Sequence, residues 1–227
     1  MKINGVLLLN KPQGITSNAA LQKIKRLYQA DKAGHTGTLD PLATGLLPIC
    51  LGEATKFSTF ALNGDKEYIA TIKLGITTTT YDSEGAIVAS QPVFSTINDI
   101  EECLQHFRGK IRQTPPIYSA LKVRGKALYE YARNDEEVVI ASRDIYIYEL
   151  KLLEFLHPDI IRLQILCSKG TYIRSLAHDI GTSLSCGAHL VGLVRTQSIG
   201  FTLQEDITLD KVANLDQSSL HSLLLPT

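Results

Sequence analysis

The sequence predicts one main domain of mixed helix and strand. Residues 67–75 and 160–168 each alternate apolar and polar positions, as half-buried strands do. Two other segments carry apolar residues at helical spacing directly behind hydroxyl-bearing cap signals, at Thr16-Ser17 and at Thr96. With 227 residues, 44% of them hydrophobic, the chain is long enough for one well-buried core.

Taken in order, Val6 to Leu9 read as a buried strand that stops at Lys11-Pro12. A helix follows the Thr16-Ser17 signal, with Ala20, Leu21, Ile24, Leu27 and Tyr28 on its inner face. In the 67–75 strand, Tyr68, Ala70, Ile72 and Leu74 share one face, and the polar run TTTTYDSEG then makes a loop or hairpin. Thr96 to Asp99 form a capping-box start for a helix with Ile97, Ile100, Leu104 and Phe107, closed by Gly109. In the 160–168 strand Ile161, Leu163, Ile165 and Cys167 face one way; Lys169-Gly170 turn the chain into a helix with Ile173, Leu176, Ala177 and Ile180. Leu190 to Phe201 read as a strand, and Leu209 to Leu225 as one closing helix.

Composition narrows the function classes. Lys and Arg number 23 and Asp and Glu 23, so no global field draws the chain to a polyanion; nucleic-acid binding would rest on local patches. Cys50, Cys103, Cys167 and Cys186 form no C-x-x-C pair, which argues against a zinc ribbon or disulfide framework and suits a reducing cytoplasm. The N-terminal apolar run is too short for a signal peptide, and nothing later reaches the roughly 20 apolar residues of a membrane span. The expectation is a cytoplasmic protein without membrane, metal or other cofactor.

Two segments carry chemistry. In HTGTLDPLATG, residues 35–45, one carboxylate, Asp40, stands among Gly, Thr and Pro with His35 five positions before it. Asp before Pro also starts helices, with Asp40 as N-cap and Pro41 in the first helical position. His35 has no second His or Cys at a ligand spacing, so zinc is not expected there. Further on, Lys110, Arg112, Lys122, Arg124, Lys126 and Arg133 are interleaved with Pro115-Pro116 and Tyr118, Tyr129 and Tyr131. That composition suits looped or single-stranded RNA, where cations hold phosphates and rings stack on splayed bases; a surface loop followed by an amphipathic helix has the same composition.

The run GHTGTLDPLATGLLPICLGEATK, from Gly34 to Lys56, resembles the signature of the TruB-type tRNA pseudouridine synthases. Lys11, Pro12, Gly14 and Ser17 are similar to the family's K-P-x-G-x-T-S opening, and QTPPIYSALKVRGKALYEYAR to its second signature. The resemblance implies an α+β pseudouridine synthase fold, with a mixed, mainly antiparallel central sheet flanked by helices and loops. It implies isomerisation of a T-loop uridine in tRNA, by eversion of the base and attack of an aspartate, without a cofactor.

By the same resemblance Asp40 is the nucleophile. Arg174, in KGTYIRSLAHDIG, is the arginine that pairs with it, and Tyr68, in KEYIATIKLG, stacks on the uracil and removes a proton. Tyr172 and Leu193 line the base pocket and His35 fills space near the everted nucleotide, while Lys11, Pro12 and Lys122 take structural or RNA-facing places. The expected partner is the T-arm stem-loop of tRNA, bound by a monomer.

Val194, Ile199-Gly200, Thr79 and Asn134 depart from the family pattern at RNA contacts and turns. The expected organisation is a catalytic domain over 1–227 with a basic, RNA-clasping insertion at about 110–150, the usual C-terminal RNA-binding domain being absent or truncated. Two other readings stay open: a tRNA-binding or folding module, and a guide-RNA-dependent synthase.

Overall fold

The computed structural model describes residues 3–156, 158–204 and 207–226. In chain order the elements are β1 (Gly5–Lys11), α1 (Ser17–Leu27), β2 (Ala33–His35), β3 (Thr44–Leu51), α2 (Thr55–Ala61), β4 (Lys66–Leu74), β5 (Ile76–Thr78) and β6 (Ile87–Ser90). There follow α3 (Ile97–Gln105), β7 (Gly109–Gln113), β8 (Lys122–Val123), β9 (Lys126–Ala127), α4 (Leu128–Arg133), β10 (Arg143–Leu156) and β11 (Ile160–Cys167). The chain closes with α5 (Ile173–Ser183), β12 (Ala188–Ser198), β13 (Phe201–Thr202), α6 (Leu209–Ala213) and α7 (Gln217–Ser222).

These elements form two compact units, Met1–Ile69 with Leu193–Thr227, and Ala70–Gly192. The division falls inside β4 and inside β12.

In the first unit β3 is the organising strand. β1 pairs with it antiparallel, from Gly5 opposite Leu51 to Lys11 opposite Gly45, and β2 pairs antiparallel with its far end. β12 runs parallel to it, with Val194 beside Thr44 and Arg195 beside Gly45, and β13 folds back on β12. The sheet is therefore mixed and mainly antiparallel. The α1 helix begins where its cap signal predicts: the Thr16 hydroxyl accepts the Ala19 N–H, and Ala20, Leu21 and Ile24 are buried beneath it.

In the second unit β10 pairs antiparallel with both β11 and β7. On β11 Ile161, Leu163, Ile165 and Cys167 are buried, the face that its alternation specifies. The TTTTYDSEG run ends β5 and forms the tip of the β5–β6 hairpin, and α3 starts with the full Thr96–Asp99 capping box. Because β7 and β10 are sheet strands, the basic segment leaves the sheet only between Gln113 and Arg143, where it forms the small β8–β9 hairpin and α4.

One expectation fails. Residues 209–225 form two short helices in place of one, since the Asp216 carboxylate accepts the Ser219 N–H and begins α7 afresh after α6 has ended at Asn214. Among the described residues no helix is long and apolar enough to cross a membrane.

Candidate active site

The chemistry of the first unit is built at the end of β1. Lys11 is wholly buried, and its ammonium donates to the carbonyls of Pro12 and Ile15, both at 2.8 Å, which curls the 12–15 segment over the strand end. That curl presents two groups to the Asp40 region. The Gly14 N–H donates to the Pro41 carbonyl at 2.8 Å, and the buried Ser17 hydroxyl both accepts from the Leu39 N–H (2.8 Å) and donates to the Leu39 carbonyl (2.9 Å).

Asp40 lies between two anchors, Leu39 and Leu42, that are both buried, while it is itself partly exposed. Its carbonyl accepts the Ala43 N–H at 3.0 Å, closing a single turn, and β3 begins at Thr44. Asp40 thus caps no helix. The Asp-Pro pair here makes a tight turn into a strand.

Arg195 holds the same region from β12. It is buried, and its guanidinium donates to the Leu46 carbonyl at 2.7 Å and to the Gly37 carbonyl at 3.1 Å, bracketing the turn in sequence. His35, at the end of β2, sits near it; burial first and the Arg195 charge second push the imidazole below its ordinary value, against a smaller opposing effect of its own backbone. Its Nδ1 accepts the Gly37 N–H at 3.4 Å. Tyr68 is on the buried face of β4, 8% exposed, and Leu193 is half-buried on β12.

The second unit holds Tyr172, Arg174 and Lys122. Tyr172 is the residue that begins α5, and buried Gln113 fixes it by accepting its N–H at 2.8 Å and donating to its carbonyl at 3.0 Å. The Arg143 guanidinium lies 4.9 Å from the centre of the Tyr172 ring, within cation–π range. Arg174, in the first turn of α5, is 6% exposed. Its guanidinium lies 3.4 Å from the Asp82 carboxylate and donates to the carbonyls of Thr80 (3.3 Å) and Tyr118 (2.9 Å). Lys122 is exposed on β8.

Asp82 is a functional candidate that sequence reasoning passed over. It is 3% exposed at the tip of the β5–β6 hairpin, where its carboxylate accepts from the Glu84 N–H and the Thr80 hydroxyl. In sequence it is an acidic residue in a polar turn, the commonest place for one; only its burial beside a buried guanidinium sets it apart. Among the described residues no three His, Cys, Asp or Glu side chains gather as a metal site.

Chemically, the first unit offers a carboxylate on a tethered turn, and the second a buried guanidinium, that of Arg174, and an aromatic ring, that of Tyr172 against Arg143. The former suits nucleophilic or acid–base work, the latter the holding of negative charge and the stacking of a planar group.

The family model of the TruB pseudouridylate synthases, N-terminal domain, matches residues 25–173, and that of the tRNA pseudouridylate synthase B C-terminal domain matches 174–227. A tRNA pseudouridine synthase B of Neisseria meningitidis serogroup A is 50% identical over 224 residues, 99% of this chain and 73% of the relative. One of Chromobacterium violaceum is 53% identical over the same shares. Among solved structures, a Cbf5-Nop10-Gar1 complex matches with a TM-score of 0.73 at 31% identity, covering 98% of this chain and 60% of that one. The archaeal box H/ACA Nop10-Cbf5 complex matches with a TM-score of 0.71 at 27% identity, covering 98% and 59%. The chain thus spans about three fifths of the length of those solved chains. With the family model matching well over half the chain and curated relatives at half identity along nearly all of it, the chain belongs to the TruB family of pseudouridylate synthases.

Proposed function

We propose that this protein isomerises uridine to pseudouridine in the T loop of tRNA, with Asp40 as the attacking carboxylate. The observation that carries the reading is the Asp40 turn: its carboxylate begins no helix, and the peptide groups around it are tied down by Ser17 and Gly14. The tRNA substrate is supported by relatives named tRNA pseudouridine synthase B at about half identity, against 27–31% for the Cbf5 complexes.

The reaction breaks the bond between the sugar C1′ and the base N1, turns the base, and joins C1′ to C5. N1 gains a proton and C5 loses one, so the product is an isomer and no oxidant, reductant or metal enters the balance. The target nucleotide leaves its stack at a cost of a few kcal/mol. Asp40 forms a transient covalent link to it, Tyr68 stacks on the uracil and takes the C5 proton, His35 fills space near the everted nucleotide, and Leu193 and Tyr172 are, by the family resemblance, further base-contacting residues. Arg174 is the cation of the set; Lys11 and Pro12 shape the turn, and Lys122 faces the RNA.

Tritium release from a tRNA transcript labelled at uridine C5 tests this directly. Wild-type protein releases tritium from the transcript with no guide RNA or other protein added, and Asp40→Asn binds the transcript while releasing none. Turnover by a clean Asp40→Asn preparation overturns the nucleophile, and a requirement for a guide RNA overturns the stand-alone reading. Equal promotion of tRNA folding by the wild type and by Asp40→Asn, with no release by either, supports a folding module instead.

A further inference from the structure

We infer that Ser17 is a positioning residue for the reaction: its hydroxyl sets the orientation of the backbone that carries Asp40. This rests on the function proposed above.

Two neighbouring hydroxyls at the start of α1 have different tasks. Thr16 caps the helix by accepting the Ala19 N–H, the ordinary job of a residue there. Ser17 is 1% exposed and takes no part in the cap; it reaches a residue 22 positions away and spends both its donor and its acceptor on Leu39. A serine hydroxyl that uses donor and acceptor on one residue mimics a strand partner.

The consequence for Asp40 follows from peptide planarity. The Leu39 carbonyl and the Asp40 N–H belong to one rigid plane, so the bond from Ser17 to that carbonyl fixes the rotation of the peptide entering Asp40. The proline after Asp40 narrows its backbone to extended values, and the Gly14 N–H holds the next carbonyl, that of Pro41. Backbone on both sides of the carboxylate is thereby tied to the 14–17 segment. Buried Leu39 and Leu42 prevent the turn from lifting as a whole.

The test compares wild type, Ser17→Ala, Ser17→Cys and Thr16→Ala in single-turnover tritium release with saturating enzyme, beside tRNA affinity by filter binding. All are assayed below the melting temperature of the least stable. Ser17→Ala lowers the rate constant roughly 10- to 100-fold, the effect of a displaced reacting group, with tRNA affinity unchanged. Ser17→Cys, of similar shape with a weaker donor and acceptor, falls between alanine and serine. Thr16→Ala lowers the melting temperature through the lost cap while keeping the wild-type rate constant.

A Ser17→Ala rate equal to wild type, a loss confined to tRNA affinity, or an equal loss in Thr16→Ala each overturns the inference. Failure of the underlying function looks different: the wild type itself then releases no tritium, or Asp40→Asn still does.

Discussion

Arg195 places a positive charge behind His35 while its N–H groups hold the carbonyls of Gly37 and Leu46. Burial and that charge both favour neutral imidazole, so the folded protein resists protonation of His35 where the unfolded chain accepts it. The sign of the pH dependence follows. Because the folded pKa lies below the ordinary 6.5, this contribution to stability is complete above about 6.5 and falls as pH drops toward the folded pKa. Urea denaturation at pH 7.5 and 5.5 should therefore show a larger acid loss for wild type than for His35→Gln; equal losses would remove His35 as the cause.

The parallel contact of β3 and β12 depends on a glycine. At Gly45 φ is +99° and a Cβ would fall about 2.8 Å from the backbone nitrogen of Arg195, its register partner, so neither the conformation nor the space admits a side chain. Gly45→Ala is expected to cost several kcal/mol and to displace the strand end next to the Asp40 turn. A melting temperature equal to wild type would contradict this. Elements with strong periodicity, β4, β11, α1 and α3, were legible in the sequence because every second or every third-to-fourth side chain enters the core. β3 was not: TGLLPICL is apolar on both faces, all but its first residue are buried, and Pro48 argues against a strand. The break between α6 and α7 was hidden for the opposite reason. Leucines alternate with polar residues from Leu209 to Leu225, through a stretch whose backbone is diverted by Asp216.

Taken over the whole chain, 23 basic and 23 acidic side chains cancel, so affinity for RNA on the proposed function must come from a few local cations. On that reading Lys122 and Arg124 are the candidates. Both are exposed at the β8–β9 hairpin, whose tip, Arg124-Gly125, has positive φ at both residues. Lys126 is engaged otherwise, with Glu136 at 2.6 Å and 4.6 Å from the centre of the Tyr131 ring. Replacing Lys122 and Arg124 with Ala is expected to flatten the dependence of log affinity on log salt by about one to two in slope, with single-turnover rate at saturation unchanged. An unaltered slope would remove the hairpin from the RNA interface.

Much of this molecule is written locally. Apolar periodicity and the caps at Thr16 and Thr96 act over three or four residues, and such signals can be read from the chain because each element meets its own backbone's needs nearby. The partners of buried polar groups are another matter. Ser17 meets Leu39 across 22 positions, Arg174 meets the Tyr118 carbonyl across 56, and Arg195 meets Gly37 across 158. A group removed from water must find its hydrogen bonds wherever the fold brings a complement, and no spacing along the chain encodes that choice.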